Sequence, residues 1–361
     1  MSTVEAASPA PVLSSHYTTH PGDVDRDRDA ILAIWGDHFG PLAMQPEKYD
    51  HFYRDSPHGP PIIQLLRHQP GGELVGVIGA GPRPMRWRGQ SVRAAVVAHF
   101  AVTAPHRSLG PALALQQALV DAARGRFDLL YGLPRPGAVG VSRRAGFSVL
   151  GKLVRHAKVL RHGDYLRRRL PAVVAYPLGA IVDMAGVLRD RVADGFVPGL
   201  HWRWSGSSVP AMDGLWHSAA GADALTSVRD HAAVRWRFDL PPAGRARYLL
   251  VSDGDGQLLA WFACDAEDTP GDPLQVLDYW SVDAMTGLSR PLVRALVAAA
   301  RAQRRPAIHL LLAATSGAMA GWRAEGFVAR SDQPIIGLRL DGDPVPPGVP
   351  NLHMTWIDQD G

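Results

Sequence analysis

The feature that most constrains the fold of this 361-residue chain is an internal repeat. Five pairs of matching residues occur in the same order in the two halves, at an offset of 180 to 184 positions. The pairs are Trp35 with Trp216, Pro57 with Pro241, Leu74 with Leu258, Val102 with Val282, and Gly146 with Gly326. Because both order and spacing are kept, the sequence predicts two tandem copies of one domain.

The offset sets the expected domain boundaries. We expect the copies at residues 20–160 and 201–345, joined by a basic helical connector at 161–200. Residues 1–19 are predicted to be disordered, and residues 346–361 to form an acidic tail. The start of the chain lacks a basic segment followed by an apolar one, so we expect no signal peptide and a cytoplasmic protein. The only cysteine, Cys264, excludes an intrachain disulfide.

The residue pattern within each copy predicts alternating strands and helices. In the first copy the order is a helix around Trp35, strands at 61–69, 71–81 and 91–102, a helix at 110–125, a strand at 127–134, a short helix at 136–147 and a strand at 152–160. This order predicts an α/β (α+β) fold in which each copy has a mixed central sheet flanked by helices.

One stretch of the first copy, VTAPHRSLGPALALQQAL at residues 102–119, passes from a strand end to a helix. A helix start presents backbone N–H groups that lack helical partners, and the helix dipole favours an anion there. Gly110 and Ala112 lack bulk, so a phosphate could approach the backbone, and Pro111 suits the first helical position. Arg107 could add a positive charge. Taken alone, these residues also fit a tight turn with a solvated arginine.

This turn and its place in the chain resemble the GCN5-related N-acetyltransferase (GNAT) superfamily. In that family the fourth strand ends in a valine, and then come a proline, an Arg/Gln-x-x-Gly-x-Gly/Ala turn and a helix. A Gly-Phe pair recurs after a later short helix. The matching residues here are Val102, Pro105, Arg107, Gly110, Ala112 and the pair Gly146 and Phe147. The resemblance covers both copies and implies two tandem GNAT-like domains.

The resemblance implies acetyl-CoA or another acyl-CoA as co-substrate. The expected pyrophosphate contacts are Arg107, Ser108, Leu109, Gly110 and Ala112, and the backbone of Phe100 and Val102 is expected to contact the pantetheine arm. In the second copy, an offset of 180 places Arg290 at the position of Gly110 and Leu292 at that of Ala112. We therefore expect the second copy to have lost coenzyme binding and to shape the acceptor pocket of the first.

Acyl transfer to an amine needs a base for the amine, donors for the oxyanion and an acid for the thiolate. The tyrosine that often protonates the thiolate in the family corresponds to Ser142, and a frequent asparagine to Arg135. Tyr131 is a candidate for contact with the thioester, although it also fits a core position. His99 is the candidate base because histidine titrates near neutral pH. Strand alternation places it opposite Phe100, so a packed histidine is the alternative.

Further candidates lie at the end of the chain. His353, Asp358 and Asp360 lie near Trp356, which predicts either a pocket for a cationic amine or a solvated end. The histidines show no spacing typical of a metal site, so no metal is expected.

The connector combines a basic stretch at 161–170 with an apolar segment at 170–188. Pro171, Pro177 and Asp183 argue against a membrane span. A helix that contacts acidic lipid or an acyl carrier protein, or that is simply solvated, fits this pattern. The net charge of +4 is too small to indicate a nucleic-acid partner.

These observations predict an N-acyltransferase that moves an acetyl or other acyl group from acyl-CoA to an amine of a small molecule or sugar. One alternative is an acyltransferase that takes the acyl group from an acyl carrier protein. The other is a binding or scaffold protein in which neither copy is catalytic.

Overall fold

A computed structural model describes residues 16–36, 38–39, 41–167, 170–194, 199–219, 224–241, 246–265, 271–340 and 351–359. The strands are β1 (Tyr17–Pro21), β2 (Ile62–His68), β3 (Leu74–Trp87), β4 (Gln90–Val102), β5 (Leu129–Gly132), β6 (Ser148–Val159), β7 (His201–Ser205), β8 (Thr226–Ser227), β9 (Ala246–Ser252), β10 (Leu258–Asp265), β11 (Leu274–Ser281), β12 (Ala307–Leu312) and β13 (Val328–Arg339). The helices are α1 (Arg28–Trp35), α2 (Gln45–Tyr49), α3 (Leu109–Ala123), α4 (Val139–Arg144), α5 (His162–Leu166), α6 (Ala172–Asp194), α7 (Met212–Ser218), α8 (His231–Val234), α9 (Arg290–Ala302) and α10 (Ala320–Ala324).

The two halves repeat the same order of elements. The helix that begins each half packs on a sheet through Trp35 or Trp216, and both tryptophans are buried. Helices α2 and α8 each continue into one turn of π-helix, at Asp50–Arg54 and Arg235–Asp239. The order of these elements agrees with the α/β fold predicted from the repeat.

The strands of both halves form one continuous sheet, in the order β1-β2-β3-β4-β5-β13-β6-β12-β11-β10-β9-β7, with β8 beside β3. Each half gives its last strand to the other. Strand β13 of the second half lies between β5 and β6, with Ile336 opposite Gly132. Strand β6 of the first half pairs with β12, where Ala307 lies opposite Val159. The halves therefore complete each other's sheets.

The core lies on both faces of this sheet. In the first half, α3 covers one face, where Leu115 and Leu119 are buried, and α1 with α2 covers the other, where Trp35 and Tyr49 are buried. In the second half, α9 buries an apolar stripe that includes Val293 and Leu296.

Both ends of the described chain are more ordered than the sequence indicates. Residues 17–19, within the segment predicted to be disordered, belong to strand β1, which pairs with β2. The predicted acidic tail is not a solvated end, because residues 352–355 and 357–358 are buried and Leu352 and Met354 make β-bridges to the body of the protein. Apolar side chains at 352, 354 and 357 account for this burial.

The region predicted as a connector contains helices α5 and α6. Helix α6 packs on α5, where Gly179 lies against Gly163, and Asp183 binds the imidazole of His162. Apolar residues elsewhere on α6 are exposed, among them Val173 and Ile181. Within the described segments, no helix is both long enough and apolar enough to cross a bilayer.

Candidate functional site

The turn between β4 and α3 is open to solvent. Residues 107–110 are exposed, and a Cβ atom added to Gly110 would have no heavy atom within 4 Å. The Ser108 side chain makes no capping hydrogen bond. It therefore does not cap the backbone N–H groups of Leu109 and Gly110 at the start of α3. Pro111 carries no N–H, and the N–H of Ala112 is turned to the Ser108 carbonyl oxygen at 3.4 Å. Two backbone donors at the positive end of a helix dipole therefore face solvent.

Strands β4 and β5 separate next to this turn. They pair in parallel only at three positions, of which Val96 with Tyr131 is the last. Beyond Val96, the edge of β4 that faces β5 pairs with no strand among the described residues. A β-bulge at His99 and Phe100, marked by a φ of 52° at His99, bends β4 at the start of this gap. This stretch of β4 includes Phe100 and Val102, whose backbone is predicted to contact the pantetheine arm, and that contact stays a prediction.

The Arg107 side chain crosses the mouth of this gap. Its Nε donates a hydrogen bond to the Val102 carbonyl oxygen at 2.9 Å, and its guanidinium also contacts the His38 imidazole. Arg135 reaches the same loop, because its guanidinium donates to the His38 carbonyl oxygen at 3.4 Å. No sequence motif points to His38. It lies in the loop after α1, and only the tertiary fold brings this loop to the turn at 107–110.

The corresponding turn of the second half, residues 287–290, is partly enclosed: Leu288 is buried and Gly287 half-buried, while Ser289 and Arg290 are exposed. A Cβ at Gly321 would lie 2.0 Å from the Leu288 carbonyl oxygen, and one at Gly287 would lie 3.2 Å from the Gly317 carbonyl oxygen. Gly137, which an offset of 180 aligns with Gly317, has no such neighbour within 4 Å. Helix α10 is therefore pressed onto the loop before α9. An offset of 180 places Val141 at the position of Gly321, so α4 of the first half carries a larger side chain there.

Two arginines are fixed at the partly enclosed turn. Arg290 and Arg294 each place Nε 3.0 Å from Oε1 of Glu325, which is buried. Leu292 points into the core and is 7% exposed. The enclosure of this turn thus comes from the packing of α10, and Leu292 does not cover the turn.

His99, the predicted base, belongs to the core. Its ring stacks on Trp35 at a centroid distance of 4.3 Å and contacts Phe39 and Phe52, and Nδ1 is hydrogen-bonded to the Tyr53 hydroxyl at 3.0 Å. Burial holds the pKa of His99 well below its usual value. A fully buried, weakly basic imidazole cannot reach an amine in solvent, so the packed alternative is correct.

Tyr131 and Ser142 are also occupied by structural hydrogen bonds. The Tyr131 hydroxyl donates to the Asp358 carbonyl oxygen at 3.0 Å, and burial raises the pKa of Tyr131. The Ser142 hydroxyl donates to the Ala138 carbonyl oxygen and accepts from Gln116, both at 3.2 Å, and so joins α4 to α3. Both side chains are buried, which does not fit proton transfer to a thiolate in the open gap.

His353 and Asp358, the two C-terminal candidates that the structure describes, do not line an open pocket. His353 is buried between Tyr279 and Trp280, and burial holds its pKa well below the usual value. Asp358 is buried and binds Arg229 at 2.8 Å, so its charge is already balanced. Asp360 lies outside the described residues. The prediction of an acidic amine pocket from these residues is therefore corrected: the segment is an internal support.

Comparisons with known proteins agree with this architecture. No family model matches the sequence, and no curated protein matches it. A GCN5-related N-acetyltransferase from Anabaena variabilis superposes with a TM-score of 0.60, at 13% identity, over 90% of this chain and 73% of that one. A tandem GNAT protein from the clavulanic acid biosynthesis pathway gives 0.54 at 12% identity, over 90% and 98%. N-myristoyltransferase from Saccharomyces cerevisiae, solved with myristoyl-CoA, gives 0.50 at 12%, over 94% and 89%. At these identities the likeness shows the fold.

Proposed function

From the tandem GNAT fold of this chain, we propose that the protein is an acyltransferase that uses an acyl-CoA donor bound to the first half alone. The acceptor is an amine on a small molecule or sugar. The observation that carries the proposal is the contrast between the turn at 107–110, which is exposed throughout, and the turn before α9, where Leu288 is buried against α10.

The open turn fits a diphosphate. The N–H groups of Leu109 and Gly110, the end of the α3 dipole and the Arg107 guanidinium all favour an anion at one place. The bare space at Gly110 allows a phosphate oxygen to approach the backbone. With Pro111 and Ala112 contributing no donor, binding depends strongly on Arg107, which would exchange its contact with the Val102 carbonyl oxygen for the phosphate.

The gap between β4 and β5 fits the rest of the donor. An extended pantetheine arm pairs with the free edge of β4, as a strand would, and this places the thioester near the bulge at His99 and Phe100. Attack of the amine nitrogen on the thioester carbonyl forms the new C–N bond, and the C–S bond then breaks to release the thiol. Fixing both reactants in this gap supplies proximity and orientation.

Proton transfer in this proposal does not use His99, Tyr131 or Ser142. The amine loses its proton to solvent, and the thiolate receives one from solvent. The rate should then rise with pH as the free amine becomes the dominant form of the acceptor. A bell-shaped profile that follows an enzyme group instead would point to a side chain acting as base.

Titration with CoA tests the proposal. We expect one molecule of CoA per chain by calorimetry and a raised melting temperature, because a ligand that binds only the folded state stabilises it. Arg107→Glu should weaken binding at least 10-fold, and Gly110→Arg, which copies the residue of the second half, should do the same. Arg290→Ala is the matched control and should leave the affinity for CoA unchanged.

Other outcomes would favour other functions. Two molecules of CoA per chain would contradict the asymmetry of the halves. Absence of CoA binding, combined with acyl transfer from an acyl carrier protein, would favour the carrier-protein alternative. Absence of both would favour a binding or scaffold protein.

A further inference from the structure

Two histidines and a glutamate from separate segments meet beside the coenzyme turn. His68 ends β2, Glu73 lies in the hairpin between β2 and β3, and His106 ends a 3-10 turn after β4. Glu73 Oε1 lies 3.5 Å from His68 Nδ1 and 3.4 Å from His106 Nε2. The three atoms all lie within 4.8 Å of one another. This convergence is not visible in the sequence, where His106 follows Glu73 by 33 positions.

The surrounding structure orients both imidazoles. The Tyr17 hydroxyl is hydrogen-bonded to His106 Nδ1 at 2.8 Å, and the tautomer that donates to Tyr17 leaves the Nε2 lone pair directed at Glu73. Within the described residues, His68 Nδ1 is buried and makes no hydrogen bond. The backbone bond from His68 N–H to the Glu73 carbonyl oxygen, at 2.9 Å, fixes the hairpin. Two imidazole nitrogens and a carboxylate oxygen thus lie close enough together to share one ion.

We propose that His68, Glu73 and His106 bind a divalent transition metal, with zinc the best match. Zinc prefers imidazole and carboxylate ligands, and bond lengths of 2.0 to 2.2 Å place neighbouring tetrahedral ligands about 3.4 Å apart. The two separations from Glu73 already match this value. The Glu73 side chain is 58% exposed, so an ion can enter and water can occupy the fourth position. The Tyr17 hydroxyl plays the part of an outer hydrogen-bond partner that orients a ligating histidine.

The metal would fix the coenzyme turn from outside. His106 directly precedes Arg107, so the bound ion ties the start of the turn to the β2–β3 hairpin and, through Tyr17, to β1. We expect CoA to bind more tightly to the metal-loaded protein. This consequence rests on the proposed function, whereas metal binding itself does not.

Calorimetric titration of the chelator-treated full chain with zinc chloride tests the site. We expect one equivalent to bind, and a rise in melting temperature that depends on zinc concentration. His68→Ala, Glu73→Gln and His106→Ala should each lower the affinity at least 10-fold. Tyr17→Phe should lower it roughly 10-fold, because the ring of His106 loses its orienting partner. Cobalt should bind at the same place and give the visible absorption of a tetrahedral complex.

His201→Ala, which removes an exposed histidine elsewhere, is the matched control and should bind zinc as the parent protein does. Without zinc, the ligand variants should melt near the melting temperature of the zinc-free parent protein. This result would show that the variants have lost a metal ligand and have kept the fold. Absence of saturable zinc binding would overturn the proposal, as would undiminished binding by His106→Ala. Zinc binding without an effect on CoA affinity would remove only the link to the coenzyme turn, and zinc binding without any CoA binding would count against the proposed function alone.

Discussion

The hydroxyl of Tyr131 donates a hydrogen bond to the backbone carbonyl oxygen of Asp358, 227 positions later, at 3.0 Å. Through this bond a central strand of the first half supports the last described segment of the chain. The Asp358 side chain is bound in turn by Arg229 of the second half, by the Thr355 backbone N–H at 2.7 Å, and by the Ser227 hydroxyl. The C-terminal segment therefore joins the two halves from inside.

This network predicts that Asp358→Asn is strongly destabilising. Arg229 is fully buried and pairs with Asp278 and Asp358. Loss of one carboxylate leaves a buried positive charge only partly balanced, which costs about 3 kcal/mol of unfolding free energy. Urea unfolding measures the change. Asp121→Asn, whose side chain is 76% exposed, is the control and should cost less than about 0.5 kcal/mol. Equal effects of the two substitutions would show that the buried pair contributes little.

The exchange of β6 and β13 predicts that neither half folds alone. Without β13, strands β5 and β6 of the first half would be separated by a gap of about 10 Å, since neighbouring strands lie about 4.8 Å apart. A fragment of residues 1–200 should lack a cooperative unfolding transition, and co-expression with residues 201–361 should restore one soluble complex. Size-exclusion chromatography and thermal unfolding measure both. Cooperative unfolding of the isolated fragment would contradict the prediction.

The partly enclosed turn of the second half predicts opposite tolerance of alanine in the two halves. In helix α10, Gly321→Ala gains about 1 kcal/mol of helix propensity, but its Cβ would meet the Leu288 carbonyl oxygen at 2.0 Å. Because a backbone clash of this size forces helix and loop apart, we expect a net loss of about 2 kcal/mol. Gly137→Ala, in the 3-10 helix before α4 of the first half, meets nothing within 4 Å and is the control for a Cβ added without a contact. Thermal or urea unfolding compares them, and a stabilising Gly321→Ala would refute the packing of α10 on this turn.

The buried histidines predict loss of stability in acid. His99 and His353 have folded-state pKa values well below the ordinary 6.5, because burial disfavours the imidazolium. In the unfolded chain they bind protons below about pH 6.5, so their protonation favours unfolding as the pH falls below that value. Above that value, the contribution of these two histidines to the free energy of unfolding does not change with pH. At pH 5 each contributes a loss of up to about 2 kcal/mol.

Urea unfolding at pH 7.5 and pH 5.0 measures this loss. His353→Gln lowers stability at both pH values because it disturbs packing, but its difference between the two should be smaller than that of the parent. His201→Gln removes an exposed histidine and should leave the difference unchanged. If the parent and His353→Gln lose the same unfolding free energy between pH 7.5 and pH 5.0, protonation of His353 does not contribute to the loss of stability in acid.

Local sequence patterns were sufficient for much of this protein. The offset between Trp35 and Trp216 predicted the repeated fold, and the exposed turn around Gly110 appears where the strand-to-helix pattern indicated it. These features depend on periodicity, on glycine and proline, and on helix ends, which act over a few residues. The bulge at His99 marks the limit of such reasoning. A single inserted residue breaks strand alternation, and no nearby residue type announces it.

The sequence by itself therefore determined the repeat, most of the order of helices and strands, and the exposed turn at 107–110. Only the tertiary structure decided that β6 and β13 change places, that Asp358 is an internal support, and that His68, Glu73 and His106 meet. The physical reason is that each of these depends on pairing between segments far apart in the chain. Such pairing follows from how whole surfaces fit together, and a local pattern of residues is compatible with many partners.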